Sequence, residues 1–223
     1  MRREFTRPAA GQVSRSPEPR LVDDWRNMLR AAYTVGDPSA PVNIVEFVDM
    51  QCPYCARFHQ TLSRLRAARG ASVSYSFIHL PLPGHPHALA AARSVECARA
   101  QGRFLPFLDA VFTKQDSIGR KSWTAFALAA GITDTNTFAS CARDTATVGM
   151  ISAGLALAEE RGIRSTPTIL LNGWQYHERP RTSNWLVPWT VFCRARIQSR
   201  ANPNRDRGCR RGRWQSGTQH QRR

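Results

Sequence analysis

Residues 42–55 read Val-Asn-Ile-Val-Glu-Phe-Val-Asp-Met-Gln-Cys-Pro-Tyr-Cys, and they predict a strand, a turn and the mouth of a helix in unbroken succession. Val42 to Val48 is apolar on both alternating sets, Val42/Ile44/Val48 and Val45/Phe47, as a central strand covered on both faces requires. Glu46 shares the first of those faces, so a carboxylate falls among apolar neighbours. Beyond the turn, Cys55, Phe58, Leu62 and Leu65 recur at helical spacing. That stripe buries Cys55 and leaves Cys52 one turn earlier, at the helix N-terminus. Pro53 suits the first helical turn, where its missing N–H is not needed.

Outward from this stretch, Val73 to Leu80 alternates Val73/Tyr75/Phe77 with Ser74/Ser76/Ile78 and predicts a second strand. A β-α-β unit then surrounds the cysteine pair. Residues 84–162 are helical in pattern and read as an inserted subdomain. One helix runs from Pro86 to near Gly102, and Phe104, Phe107, Leu108, Val111 and Phe112 mark another. Ser122 caps a third, with Trp123, Phe126 and Ala127 on its face and Gly131 at its end, and Val148, Ile151, Leu155 and Ala158 form the last, closed by Gly162. After Ser165-Thr166-Pro167, the runs Thr168 to Leu171 and Trp174 to Tyr176 flank Asn172-Gly173, the strongest short hairpin signal. The reading is α/β: a domain over residues 35–180, preceded by a leader over 1–34 and followed by a tail over 181–223. Within the leader, residues 1–20 read as disordered and Trp25 to Tyr33 as a first short helix.

A chain of 223 residues with 42% hydrophobic side chains supports one well-cored domain plus appendages. Its formal charge of +16 is unevenly spread, because residues 181–223 carry 11 Arg against the single acid Asp206. The domain itself is only mildly basic, which does not favour nucleic acid as its partner. No apolar run approaches the roughly 18 residues of a membrane helix, and none near the start matches a secretory signal.

Six cysteines in such a chain give some C-x-x-C by chance about one time in seven, so the motif needs its context. The context is a helix N-terminus, where unpaired N–H groups and the helix dipole favour a thiolate. Cys52 is therefore expected to be acidic, exposed and nucleophilic, and the buried Cys55 to resolve its mixed disulfides. A structural bridge over so short a loop removes little chain entropy. A zinc site using His59 lacks a complete ligand set, and Ala56 stands where haem attachment requires His. No metal or cofactor is expected.

Several motifs in order resemble the DsbA-like proteins, the bacterial thioredoxin-fold disulfide oxidoreductases: EFVDMQCPYC at 46–55, then HLPLPGHPHA, ECARAQGRF and STPTILLNG. The resemblance covers about residues 35–177. It implies a thioredoxin-like fold with an inserted helical subdomain and a cis-proline opening a late strand, here Pro167, beside the cysteines. The backbone of Thr166 would then pair with a substrate peptide, and Pro53 and Tyr54 would tune the redox pair. An ordinary trans turn proline is the alternative. Glu46 falls on the position of a buried acid that passes protons to the resolving cysteine, the alternative being a strand-edge Glu that reaches water. Cys97 and Cys141 lie on insertion helices, where similar proteins pair cysteines; two buried free thiols are the alternative. His79, His85 and His87 flank a Pro-rich loop near the site and read as structural.

The implied activity is exchange of disulfides with protein or peptide thiols, with oxidation favoured over isomerisation and recycling by a partner the sequence does not name. Family members work outside the cytoplasm, so an extracytoplasmic location is expected, and a cytoplasmic one if this start is genuine. After His177 the family pattern and the periodicity stop together, which reads as a change of reading frame. Pro188 to Gln198 could still form a short helix. Two other functions stay open: a nucleic-acid-binding protein on this scaffold, using the Arg-rich tail, and an inactive relic whose sheet lacks cover.

Overall fold

The computed structural model describes residues 19–146 and 149–176. The expected tail, the helix at 188–198, most of the leader and Val148 lie outside the described residues.

A six-stranded sheet runs in the order β1-β6-β5-β3-β4-β2. Its strands are β1 (Arg20–Leu21), β2 (Tyr33–Val35), β3 (Val42–Val48), β4 (Val73–His79), β5 (Thr168–Leu171) and β6 (Trp174–Tyr176). β3 is central, parallel to β4 from Val42↔Val73 to Val48↔His79 and antiparallel to β5 from Ile44↔Leu171 to Phe47↔Thr168. Every residue of β3 and β4 is buried. The two alternating sets of β3 divide as their pattern predicts. Val42, Ile44 and Val48 join a cluster with Cys55, Phe58, Leu62 and the insertion helices, while Val45 and Phe47 join Trp25, Met28, Ile78 and Leu170 on the other face.

Helix α1 (Pro53–Arg69) follows β3 with Cys52 as its N-cap and Pro53 in its first turn. The insertion comprises α2 (Ala88–Ala100), α3 (Phe104–Thr113), α4 (Trp123–Ala129), α5 (Thr135–Arg143) and α6 (Gly149–Glu160). Ser122 caps α4 by accepting from the Ala125 N–H at 3.3 Å, and α2, α4 and α6 stop just before Gly102, Gly131 and Gly162. Helix α5, which carries Cys141, has bounds that the sequence did not mark. Phe138 is its one fully buried side chain, so no apolar stripe shows in its sequence.

The expected leader needs correction. Residues 20–35 belong to the fold: β1 pairs with β6, and β2 pairs with β4. Between them Trp25–Ala31 forms a 3-10 helix rather than an α-helix reaching Tyr33, and Tyr33 enters β2. Strands of two and three residues carry no readable period, which is why this segment passes for a leader. Trp25 and Met28 are buried on the sheet face opposite α1, and Arg161 at the end of α6 forks onto Asp24. Among the described residues, the 22–31 segment and Ala158 and Ile163 pack on this face, where Val45, Phe47, Ile78 and Leu170 are each 0% exposed. The sheet is thus covered from its N-terminal side, which bears against the relic alternative in which it lacks cover.

The Asn172-Gly173 turn takes positive φ at both residues, 47° and 89°, as a two-residue hairpin between twisted strands requires. A Cβ on Gly173 would run into the Trp25 indole, so this glycine also admits the covering segment.

Candidate active site

β3 delivers the chain to the cysteines through a polar turn that Asp49 organises. The Asp49 side chain is 0% exposed. It accepts from the N–H of Gln51 at 2.7 Å, the N–H of Leu82 at 2.9 Å and Nδ1 of His85 at 2.7 Å. Its main-chain carbonyl accepts from the Cys52 N–H at 3.1 Å, and its main chain also bonds the Cys55 sulfur. The turn is therefore tied to the Pro-rich loop, with a second tie from the His87 N–H to Gln51 Oε1 at 2.8 Å.

Cys52 and Cys55 are both free thiols. Cys55 faces inward at 0% exposure, as its stripe predicts. Cys52 departs from expectation. It is 3% exposed rather than open, because Thr166 lies against it, with Sγ 3.3 Å from the Thr166 carbonyl oxygen. Only the protonated thiol can donate to that carbonyl. To the ionised sulfur Thr166 can instead offer its hydroxyl, which is buried and has no other partner among the described residues.

The two sulfurs have been driven apart in acidity. The Cys55 thiol beside it, the Thr166 side chain and the N–H groups of Cys55 and Tyr54 hold Cys52 down to about 5 against the burial that opposes them. Burial pushes Cys55 well up, and its bond to the neighbouring Cys52 adds to this. Hydrogen bonds to a charged form favour it and desolvation disfavours it, so one pair holds a thiolate and a stubborn thiol.

Glu46 is 1% exposed, so it does not reach water. Burial raises its carboxyl well above the usual range, only partly opposed by its bond to the Cys55 thiol, and its Oε1 has no hydrogen-bond partner among the described residues. A carboxyl whose charged form burial disfavours thus stands against the Cys55 thiol. The Thr166–Pro167 bond is cis. Pro53 is exposed, Tyr54 and Pro167 are half-buried, and the Arg57 guanidinium lies 4.8 Å from the Tyr54 ring centre. The structure thus brings Cys52, Cys55, Glu46, Thr166, Pro167, Pro53 and Tyr54 into one neighbourhood.

Cys97 and Cys141 form a disulfide between α2 and α5. His59 turns its Nε2 to Asp109 at 2.5 Å, away from a role with the cysteines, and among the described residues no group of three His, Cys, Asp or Glu side chains is set to hold a metal. His79 pairs with Glu96 at 3.0 Å inside the core. Burial alone would raise the Glu96 carboxyl, yet His79 and Arg99 together hold it low.

Asp49, Gln51 and Gln115 are the site residues that sequence reasoning missed. Asp49 had a signal: a carboxylate three residues before Cys52, directly after a buried strand. Gln115 had none, because it acts across 63 residues on a main-chain carbonyl.

The central strand, the helix mouth with its acidic cysteine and the cis-proline beside it define a thioredoxin-like fold with an inserted helical subdomain. The chain belongs to the thioredoxin family, whose model matches residues 30–186. Among solved structures it is similar to a thioredoxin-like oxidoreductase from Silicibacter pomeroyi DSS-3, with a TM-score of 0.61 and 25% identity over 77% of this chain and 98% of that one. The α-DsbA1 protein of Wolbachia pipientis shares the fold at a TM-score of 0.59 and 23% identity, covering 74% of this chain and 93% of that one. The expected resemblance to DsbA-like proteins is borne out at the level of fold. Among curated proteins, the Na+/H+ antiporter NhaA of Herminiimonas arsenicoxydans is 36% identical over 138 residues, which is 62% of this chain and 22% of the antiporter. NhaA 1 of Mycolicibacterium gilvum is 33% identical over 166 residues, 70% of this chain and 26% of that protein. The chain thus spans about a quarter of the length of these curated relatives.

Proposed function

We propose that this domain oxidises thiols of polypeptide substrates, with Cys52 as the exchanging sulfur and Cys55 as its resolving partner. The observation that carries the reading is the split between them: an acidic Cys52 at the mouth of α1 beside a buried, hard-to-ionise Cys55.

The cycle starts from the Cys52–Cys55 disulfide. A substrate thiolate attacks the Cys52 sulfur, an S–S bond forms to the substrate, and Cys55 leaves carrying the electron pair. Neutral Glu46 gives its proton to Cys55, which cannot persist as a buried thiolate, and is reprotonated from solvent. A second substrate thiolate attacks the substrate sulfur of the mixed disulfide, and Cys52 departs. The substrate has lost two electrons and the enzyme holds them. A leaving thiol of low pKa departs fast, so the acidity of Cys52 favours release of oxidised product. A separate oxidant must then restore the enzyme disulfide. The rim of Pro53, Tyr54, Thr166 and Pro167 would receive the substrate chain.

The Cys97–Cys141 disulfide supports work outside the cytoplasm, since such bridges persist in oxidising compartments. Ion exchange is not carried over from the antiporters, because the chain spans only about a quarter of their length.

The test mixes oxidised protein with a reduced unfolded polypeptide and follows disulfide formation. Cys52→Ser should abolish transfer, while Cys55→Ser, first loaded at Cys52 by glutathione disulfide, should pass that bond to a substrate thiolate, releasing glutathione and leaving a substrate mixed disulfide on Cys52. Transfer that survives Cys52→Ser rules out the mechanism.

A further inference from the structure

The active-site turn is also held from outside its own β-α unit. Gln115 opens the short 3-10 turn Gln115–Ser117 between α3 and α4, within the inserted subdomain. Its Nε2 donates to the carbonyl oxygens of Met50 and of Cys52, each at 2.9 Å. An amide nitrogen has two N–H groups, and both are spent on the peptide planes that bracket Gln51 and Cys52. The Cys52 carbonyl also accepts from the Ala56 N–H at 3.2 Å, where the ladder of α1 begins. Gln115 therefore grips the N-cap residue where its backbone turns into the helix.

A second route runs from the same turn. The ring of His87 lies against Gly119, whose φ is 80° and where a Cβ would overlap the imidazole. His87 in turn donates its N–H to Gln51 Oε1. Residues 115–119 thus hold the turn at 50–52 directly through Gln115 and indirectly through His87.

The placement matters because the partners of the Cys52 sulfur are short-range. The Cys55 and Tyr54 N–H groups and the Cys55 thiol can serve it only while Cys52 keeps its present backbone, φ −73° and ψ 119°. Rotating either bracketing peptide would swing the sulfur off those donors, and hydrogen bonds weaken steeply with misalignment.

We propose that Gln115 is a positioning residue for the exchange reaction, through which the inserted helical subdomain holds the peptide of the nucleophile and sets the reactivity of Cys52. The proposal rests on the exchange reading above. It makes the insertion part of the redox machinery as well as a cover for the sheet.

The experiment compares the full chain with Gln115→Met, which keeps the length of the side chain but has no donor, and with Gly119→Ala. In each, thiolate absorbance of the reduced protein is followed against pH, the equilibrium with glutathione is measured at pH 7, and unfolding of the oxidised form is recorded. Gln115→Met should move the Cys52 transition upward by about one pH unit. It should also shift the glutathione equilibrium about tenfold toward the oxidised enzyme, about 30 mV for two electrons. Gly119→Ala should move both the same way by less. A merely structural Gln115 would lower the unfolding midpoint and leave titration and equilibrium at wild-type values, which overturns the proposal. If Gln115→Met does not fold, Gly119→Ala decides, and an unchanged titration there overturns it too. A wild-type Cys52 that titrates as an ordinary thiol sinks the exchange reading instead, before any variant is compared.

Discussion

The Cys52 sulfur stands 3.3 Å from the carbonyl oxygen of Thr166, 114 positions further along the chain. That contact joins the N-terminus of α1 to the entry of β5, and it explains why the Cys52 sulfur is buried. Among the groups that lower Cys52 toward about 5, the Cys55 thiol ranks ahead of the Thr166 side chain. Cys55→Ala should therefore raise the Cys52 transition more than Thr166→Val does. Thiolate absorbance of the reduced variants, followed against pH, checks this order, and a larger rise in Thr166→Val would contradict it.

The acidity of Cys52 should also appear in the pH dependence of the redox potential. Below a pH of about 5 both cysteines take up protons on reduction, and the midpoint should fall by about 59 mV per pH unit. Above it only Cys55 is protonated, and the slope should halve to about 30 mV. The same acidity gives a stability signature. A folded value lowered from 9.0 to about 5 contributes stability to the reduced form that is complete above 9.0 and is lost as pH falls through about 5. Reduced and oxidised proteins, unfolded in denaturant across that window, should diverge as pH rises.

Glu46 has the opposite sign. Its folded value lies above the ordinary 4.5, so its contribution is complete below 4.5 and is lost as pH rises toward the folded value. Glu46→Gln removes that titration. Its stability relative to wild type should grow with pH above 4.5, by up to about 1.4 kcal/mol for each pH unit crossed before the folded value is reached. The same variant should slow the step in which Cys55 accepts its proton. Stopped-flow mixing with a dithiol should show a decline of about a hundredfold or more, in the range of general acid catalysis. Equal rates would remove Glu46 from the mechanism.

What the sequence disclosed follows from where the information is local. β3, α1, β4 and the hairpin at Asn172-Gly173 each carry a period or a turn signal within a few residues, and each stands where it was read. Glu46 was legible as an anomaly, a carboxylate in an apolar face. Arg20–Leu21 and Tyr33–Val35 were illegible, because their places depend on pairing with Gln175, Trp174 and the 75–77 stretch far along the chain. The burial of Cys52 was misread for the same reason: helix position predicts an open mouth, and the residue that shuts it comes from another element. Gln115 bonds main-chain atoms whose identity no side chain announces.

The Cys97–Cys141 bridge spans 44 residues, across α3 and α4. In the chain-entropy account a loop of that length is worth about 4 kcal/mol, and measured values tend to fall short of the ideal. Replacing both cysteines by Ala should cost about 2–4 kcal/mol in urea unfolding. The reactivity of Cys52 should change less than twofold, since neither residue bonds the CPYC turn. A large loss of exchange activity at unchanged stability would instead tie the bridge to the site.

Asp49 should prove the costlier member of its pair. Asp49→Ala strips the partner from the N–H groups of Gln51 and Leu82 and from the His85 ring, inside a turn where the side chain is 0% exposed. His85→Ala removes one donor and leaves the carboxylate with two, and the ring it deletes is 28% exposed and can be replaced by water. Buried donors left unsatisfied cost about 1–3 kcal/mol each, whereas an exposed partner costs little. Urea unfolding of the oxidised forms should therefore place Asp49→Ala about 3–5 kcal/mol below wild type and His85→Ala about 1 kcal/mol below. Asp49→Asn should fall between them, because its carbonyl still accepts from Gln51 while its NH2 group opposes the Leu82 N–H. Equal losses for the Asp49→Ala and His85→Ala variants would mean that the ion pair, rather than the two main-chain bonds, holds the turn, and Asp49 would then be an electrostatic partner of His85 instead of the organiser of residues 49–52.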